Sequence, residues 1–185
     1  MPKTIVPAPP DARFAALSRH PELIGRYAAT QWQRAFGLNI SKIDDFLYVG
    51  GQFRPSQWAG LHALGIRAVL SLQDEYEDQF AGPPAPRSLR LRVPDFYPPS
   101  LDQLQEAVAF IAAARAEQLP VMVHCHAGVG RASLTASAFL VAQGAAHAEA
   151  FHTIRSARPI VILNGRQLAR LREWEAHIAA QRAST

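Results

Sequence analysis

Cys125 and Arg131 are the residues of this sequence whose types and spacing indicate chemistry most directly. A thiol beside an arginine at the start of a helix favours its thiolate form and becomes a nucleophile at neutral pH. The planar guanidinium can hold two oxygens of a phosphate group. We therefore predict that Cys125 attacks a phosphate-sized anion. The predicted binding residues for that anion are Arg131 and the loop before it: His126, Ala127, Gly128, Val129 and Gly130.

The residues on either side of this loop predict the elements that position it. Residues 119–123 form a short, apolar run that contains a proline and is typical of a buried strand. Residues 132–140 are rich in Ala and Leu, which favours a buried helix. Between a strand and a helix, loop N–H groups converge on one point and the helix N-terminus adds partial positive charge. The alternative is a buried, inert cysteine followed by an ordinary helix arginine, because this spacing also occurs by chance.

Asp95 is the second candidate for a chemical role. Residues 89–100 predict a strand that runs into a proline-stiffened loop, and Asp95 is the only acid in that stretch. Transfer of a phosphoryl group to a thiolate requires a proton for the departing oxygen, and an Asp in a mobile loop can supply it. The alternative is a plain turn residue, since Asp after Pro is common in turns.

Together these segments resemble the cysteine-dependent protein tyrosine phosphatases, specifically the dual-specificity type. The resemblance is strongest over His124 to Arg131 and over Val93-Pro94-Asp95-Phe96. Weaker matches occur at residues 46–51, 64–72 and 154–159, so that the similarity extends over about residues 40 to 180 in the family's order. In the low-molecular-weight phosphatases the acid follows the cysteine, whereas here it precedes the cysteine.

The resemblance implies hydrolysis of phosphomonoesters, such as phosphotyrosine and phosphoserine or phosphothreonine on proteins, through a phosphocysteine intermediate. Cys125 would attack phosphorus while Arg131 and the loop amides bind the equatorial oxygens. Asp95 would protonate the leaving oxygen and then activate water. Neither a metal nor another cofactor is expected, because the arginine and amides supply the positive charge. Supporting roles are implied for four further residues: His124, Ser133, Asn164 and Gln167.

His124 is expected to point inward and organise the loop by hydrogen bonding, with simple core packing as the alternative. Asn164 or Gln167 is expected to orient the hydrolytic water. Ala132 departs from the family pattern, which has Ser or Thr there to donate to the cysteine sulfur and help it leave. Ser133 lies roughly 100° further round the helix, so we do not expect it to replace that hydroxyl unaided. We therefore expect slow breakdown of the intermediate relative to its formation.

Other functions share parts of this pattern. A phosphoinositide phosphatase or an RNA 5′-phosphatase would use the same cysteine-arginine loop. A pseudophosphatase would keep the loop only to bind phosphate, and Ala132 would then reflect relaxed constraint. A metal site is not favoured for His124-Cys125-His126, because no second cluster of Cys, Asp or His at ligand spacing completes a tetrahedral shell.

Composition limits the setting of this chemistry. The 185 residues are 49% hydrophobic, which is enough for one sizeable core. A single cysteine excludes an internal disulfide and suits a reducing cytoplasm. A membrane span is not expected, since no apolar run reaches about 18 residues. The net charge of +4 suits acidic ligands such as phosphorylated proteins or small phosphomonoesters. Arginines are scattered without a nucleic-acid motif, so nucleic acid is not favoured, and nothing indicates an oligomeric state.

Strands that alternate with helices predict an α/β fold with a central, largely parallel sheet flanked by helices, and a site at the carboxyl ends of the strands. Ser100 and Gln103 predict a capping box at a helix start. A last helix is predicted over about residues 164–180. We expect a disordered tail over residues 1–10, a helical extension packed on the domain over residues 11–38, and the phosphatase domain over residues 39–183.

Overall fold

The computed structural model describes residues 37–184 together with residues 25, 28 and 32. The predicted tail over residues 1–10 lies outside the described residues. Almost all of the predicted helical extension over residues 11–38 lies outside them as well.

Within residues 37–184, five strands form one sheet: β1 (Ile40–Lys42), β2 (Leu47–Gly51), β3 (Ala68–Gln73), β4 (Arg87–Val93) and β5 (Val121–Cys125). Their order across the sheet is β1-β2-β5-β3-β4. The last four of that order run parallel, and β1 is an antiparallel edge strand. β5 is central and every residue in it is buried. The predicted α/β fold with a largely parallel sheet is therefore confirmed.

Within residues 37–184, five α-helices accompany the strands: α1 (Trp58–Ala63), α2 (Leu101–Ala116), α3 (Arg131–Ala142), α4 (His147–Ala157) and α5 (Gly165–Ala183). The Ser100 hydroxyl accepts a bond from the Gln103 backbone N–H at 3.0 Å, and the Gln103 side chain accepts from the Ser100 N–H, which confirms the predicted capping box. Asn164 and Gln167 form a second capping box at the start of α5. In the part of the chain that is described, no helix has the length and hydropathy needed to cross a bilayer.

The two faces of the sheet are covered differently. Helices α2 and α3 pack on one face, where Val123 and Cys125 of β5 join the main hydrophobic core, and α4 and α5 pack against α3. On the other face, Met122 packs with α1 residues in a second, smaller cluster. Side chains of a strand alternate between faces, so His124 points to the side opposite Cys125.

The carboxyl ends of the parallel strands meet at one edge of the sheet. β5 ends at Cys125, β3 ends at Gln73 just before an acidic loop, and β4 ends at Val93 just before Asp95. This edge is where open α/β sheets bind ligands, because loops from several strands converge there.

Candidate active site

Cys125 lies at the start of a tight loop that leads directly into α3. The residue is 3% exposed, and its Sγ accepts a hydrogen bond from the backbone N–H of Gly128 at 3.3 Å. Gly130 caps α3, which begins at Arg131. The sulfur therefore faces the N-terminus of a 12-residue helix and at least one loop amide, an environment that stabilises negative charge.

Gly128 is required at its position by both conformation and space. Its φ is +68°, and a Cβ there would lie 2.3 Å from the carbonyl oxygen of Gly50 in β2. The Gly128 carbonyl accepts from Arg158 Nε at 2.7 Å, and the Ala127 carbonyl accepts from Arg158 Nη2 at 3.2 Å. Because the buried Arg158 binds these carbonyls, the neighbouring N–H groups are left to face an anion.

Arg131 is only 1% exposed, and its guanidinium is held by one carboxylate and by a backbone carbonyl oxygen. Its Nη1 and Nη2 donate to the two carboxylate oxygens of Glu75 at 2.9 and 3.0 Å, and Nη1 also donates to the Val93 carbonyl at 2.7 Å. Burial lowers the pKa of Arg131, but the Glu75 hydrogen bonds and the negative groups nearby raise it by more. Burial raises the pKa of Glu75, and the bonds from Arg131 and backbone N–H groups bring it below its ordinary range. The pair is therefore ionised at neutral pH.

The Asp95 carboxylate also lies beside the Arg131 guanidinium. Its Oδ1 lies 3.0 Å from Arg131 Nη2, and its side chain is 48% exposed. The next residue, Phe96, has a φ of +65° and a 60% exposed ring. The Phe96 carbonyl accepts from Asn164 Nδ2 at 2.8 Å, which attaches the acid loop to the start of α5. Arg131 Nε has no hydrogen-bond partner among the described residues, so a phosphate that binds both Nε and Nη2 would replace the contact with Asp95.

Asn164 and Gln167 have different surroundings in the site. Asn164 caps α5 and holds the acid loop. Gln167 is 3% exposed and lies against the loop after Cys125, since a Cβ built on Gly130 would be 2.8 Å from Gln167 Nε2. Of the two amides predicted to orient water, Gln167 is therefore the one beside the loop.

His124 does not bond to the loop after Cys125 as expected, and Ser133 does not donate to the sulfur. The His124 ring is fully buried, but its Nε2 contacts Asp78 Oδ2 at 2.8 Å rather than the loop after Cys125. Strand alternation explains this, because His124 and Cys125 point to opposite faces. The Ser133 hydroxyl donates to the Gly128 carbonyl at 3.3 Å, and so it does not supply the donor to sulfur that Ala132 lacks.

His126 and Val129 lie on the rim of the loop. The His126 ring stacks on Tyr76 with centroids 6.2 Å apart, and its Nδ1 lies 3.2 Å from Gln52 Oε1. The Val129 carbonyl accepts from the Ile162 N–H at 3.3 Å, which joins the loop to the segment before α5.

Sequence reasoning missed three residues of this arrangement: Glu75, Asp78 and Arg158. The two acids belong to a charged run directly after β3. Because this run lies at the carboxyl edge of the sheet, where the site was expected, it could have been recognised as part of the site. Arg158 falls within the weaker family match over residues 154–159, which assigns it no role. The predicted Cys125, Arg131 and Asp95 do converge, with Arg131 in contact with Asp95 and the loop amide on the sulfur.

The chain is similar in sequence to known dual specificity phosphatases. The human dual specificity protein phosphatase 12 is 42% identical over 98 residues, which is 51% of this chain and 29% of the relative. Mouse dual specificity phosphatase 28 is 30% identical over 146 residues, covering 77% of this chain and 87% of the relative. The chain thus spans well under half of the first relative and most of the second.

A solved structure of PTPMT1 in complex with PI(5)P superposes with a TM-score of 0.70 at 25% identity, covering 77% of this chain and 98% of that chain. The family profile described as "Dual specificity phosphatase, catalytic domain" matches residues 47–177, which is more than two thirds of the sequence. By the fold, by the convergence of Cys125 with Arg131 and by this match, the chain belongs to the dual specificity phosphatase family.

Proposed function

We propose that this chain is a metal-independent phosphatase that hydrolyses phosphomonoesters, foremost phosphotyrosine and also phosphoserine or phosphothreonine on proteins, through a phosphocysteine intermediate. The observation that carries the proposal is the convergence of three groups at one sheet edge: a sulfur bound by the Gly128 amide, the clamped Arg131, and Asp95 in contact with Arg131. A reducing cytoplasm is the proposed location, because there the lone Cys125 stays a thiol.

In the first step, the Cys125 thiolate attacks phosphorus and the bond between phosphorus and the leaving oxygen breaks. Arg131 and the loop amides hold the three equatorial oxygens, as the charge on them redistributes in the transition state. Asp95 gives its proton to the leaving oxygen. Because Glu75 already fixes the guanidinium plane, Arg131 needs little reorganisation when phosphate replaces Asp95 beside it.

In the second step, water attacks the phosphocysteine and sulfur leaves as a thiolate. The proton of that water passes to the Asp95 carboxylate, which restores the acid for the next cycle. The side-chain amide of Gln167, which lies against Gly130, is the group proposed to orient the water. No step requires a metal, because a guanidinium and amides neutralise the charge.

The rim of the site supports a protein substrate with an aromatic phosphoester. Of the six large apolar side chains that are exposed in the described part of the chain, four belong to segments that contact the loop or Arg131: Tyr76, Phe96, Tyr97 and Ile162. Phe96 follows Asp95, and Tyr76 stacks on His126. Such side chains can pack against a phenyl ring at the mouth of a pocket. The human relative reported above is named a protein phosphatase, in keeping with this choice.

An inositol lipid phosphate is the second candidate substrate, because PTPMT1 was solved with PI(5)P and shares this fold. The loop itself favours the first candidate. Its side chains are those of His126, Ala127 and Val129, with neither Lys nor Arg to bind additional phosphates. Hydrolysis rates on a panel of phosphopeptides and phosphoinositides would rank the two.

Trapping the intermediate tests the proposed mechanism. Wild-type protein mixed with p-nitrophenyl phosphate in EDTA should, after acid quenching within milliseconds, carry one phosphoryl group on Cys125 by mass spectrometry. The Cys125→Ser protein serves as the blank. Turnover that EDTA abolishes would indicate a metal phosphatase. Phosphate binding without turnover or intermediate would indicate a pseudophosphatase.

Restoring a hydroxyl at position 132 should accelerate hydrolysis of the intermediate. Ala132 is fully buried, and Ser133 donates to a carbonyl instead of the sulfur. We expect wild type to show a burst of p-nitrophenol, and Ala132→Ser to shrink that burst and raise steady-state turnover about tenfold, the worth of one hydrogen bond to a charged group. Stopped-flow absorbance measures both.

Ser133→Ala is the matched control for this experiment, since it removes a neighbouring hydroxyl that does not contact sulfur. A wild type without a burst, or an Ala132→Ser protein with unchanged turnover, would contradict the prediction.

A further inference from the structure

A single acidic loop contacts three residues of the candidate active site. This loop, residues 74–78, follows β3. Its Glu75 clamps Arg131, its Tyr76 stacks on His126, and its Asp78 contacts His124. The first two contacts are at the site itself, whereas the third lies on the opposite face of the sheet. The proposed mechanism does not use Asp78 or His124.

The His124 ring lies in an environment closed to solvent. It is fully buried, and the Phe53 ring centroid is 5.5 Å away. Its Nε2 lies 2.8 Å from Asp78 Oδ2, and the Asp78 side chain is only 11% exposed. Turning the His124 ring away from Asp78 would cost free energy, because water cannot reach the buried ring to replace the lost hydrogen bond.

Further polar groups lie near His124 in the sheet. Ser71 of β3 is the register partner of His124, and Gln73 lies two residues further on the same face. Both are buried, and Ser71 Oγ, the Gln73 amide and His124 Nδ1 have no hydrogen-bond partner in the described part of the chain. Asp78 is therefore the side chain that the structure shows fixing this ring.

The contact with a carboxylate selects which nitrogen of the His124 ring carries the proton. An ionised Asp can accept hydrogen bonds but cannot donate them, so the proton must be on His124 Nε2. Nδ1 is then the unprotonated nitrogen, and it has no hydrogen-bond partner among the described residues. The backbone of His124 is bonded directly to Cys125, so a fixed ring holds the end of β5 from which the sulfur projects.

We propose that Asp78 is a positioning residue for the nucleophile, acting through the His124 ring on the end of β5. This inference rests on the proposed function, because it assigns Asp78 a part in the reaction of Cys125. Residues 74–78 then hold the phosphate-binding loop at both of its ends. Glu75 fixes the end at Arg131, and Asp78 fixes the end at Cys125.

The Asp78→Asn substitution tests this role. An amide can turn its N–H toward Nε2 and so reverse the direction of the bond. We expect kcat for p-nitrophenyl phosphate to fall about tenfold while KM changes less than about twofold, as for other partners that orient a site residue. Two-dimensional ¹H–¹⁵N NMR of the imidazoles should show the His124 proton on Nε2 in wild type and on Nδ1 in the variant. Asp78→Glu, which keeps an acceptor, should recover most of the loss.

Glu175→Gln is the matched control, because Glu175 forms another carboxylate–histidine contact, with His147 Nδ1 at 2.5 Å between α4 and α5. It should leave kcat and the His124 signals unchanged. Equal kcat in the Asp78→Asn and Glu175→Gln proteins, or a wild-type proton on Nδ1 alone, would overturn the inference.

If the wild-type protein has no phosphatase activity, the proposed function is wrong, but the positioning role of Asp78 can still be tested. In that case the rate of Cys125 alkylation by iodoacetamide is compared in the same proteins. A several-fold change in Asp78→Asn relative to Glu175→Gln supports positioning of the thiol, and equal rates refute it.

Discussion

Replacing Cys125 with serine is expected to reduce turnover by at least about ten-thousand-fold, since both chemical steps depend on the sulfur. A serine hydroxyl keeps its proton at neutral pH, so the attacking atom loses its negative charge. Oxygen bonded to phosphorus is also a poorer leaving group than sulfur in the second step. The steady-state rate with p-nitrophenyl phosphate is the measurement.

Anion binding should survive this substitution. The Gly128 amide and Arg131 are unchanged in Cys125→Ser, and removal of a negative sulfur relieves repulsion of a phosphate dianion. We therefore expect inorganic phosphate to bind Cys125→Ser as tightly as wild type or more tightly, by isothermal titration calorimetry. Arg131→Lys is the comparison that should lose binding, because one ammonium cannot pair with both Glu75 oxygens and also present a fork to phosphate.

Residual turnover within tenfold of wild type in Cys125→Ser would place the nucleophile elsewhere. Phosphate affinity that falls in Cys125→Ser as far as in Arg131→Lys would mean that the substitution disrupts the loop instead of removing the nucleophile.

Much of the fold could be predicted because its signals are local. The apolar run before Cys125, the Ser100 capping box and the spacing of apolar residues after Asn164 each fall within one element. β1 was not predicted because Ile40–Lys42 has three residues, none of them buried, and forms a strand only by pairing with β2. Such a strand depends on its neighbour more than on its own sequence.

Site residues could be predicted where they belong to one segment of the chain, because that segment determines the distance between them. Cys125 and Arg131 belong to a single strand–loop–helix unit, so their spacing already implied their proximity. Glu75 belongs to a charged run that resembles a solvated loop. Its partner is 56 residues away, and the contact exists because β3 lies between β4 and β5. Strand order is a property of the whole sheet that no single motif contains.

Arg158 shows the same limit for a buried cation. In the sequence it ends a helix before a proline, as many surface arginines do. In the structure it is fully buried and binds carbonyls of Ala127 and Gly128, 31 and 30 residues away. The loop amides can face an anion only because something binds those carbonyls, and that group comes from a different element.

Asp95→Asn is expected to lower kcat by about a hundredfold to ten-thousandfold for leaving groups that need a proton, the usual contribution of a general acid. Phenyl phosphate has such a leaving group, whereas p-nitrophenolate departs more readily unprotonated. We therefore expect the loss to shrink markedly from phenyl phosphate to p-nitrophenyl phosphate. The basic limb of the pH profile of kcat/KM, which requires the protonated acid, should also flatten in the variant.

The contact between Asp95 and Arg131 gives this experiment a second readout. Asp95 lies 3.0 Å from the guanidinium, in competition with phosphate, so Asp95→Asn should bind inorganic phosphate more tightly than wild type. A purely structural turn aspartate would give losses independent of the leaving group and no gain in phosphate affinity. If the loss depends on the leaving group and inorganic phosphate binds more tightly, the Asp95 carboxyl both transfers the proton and occupies the phosphate position between turnovers.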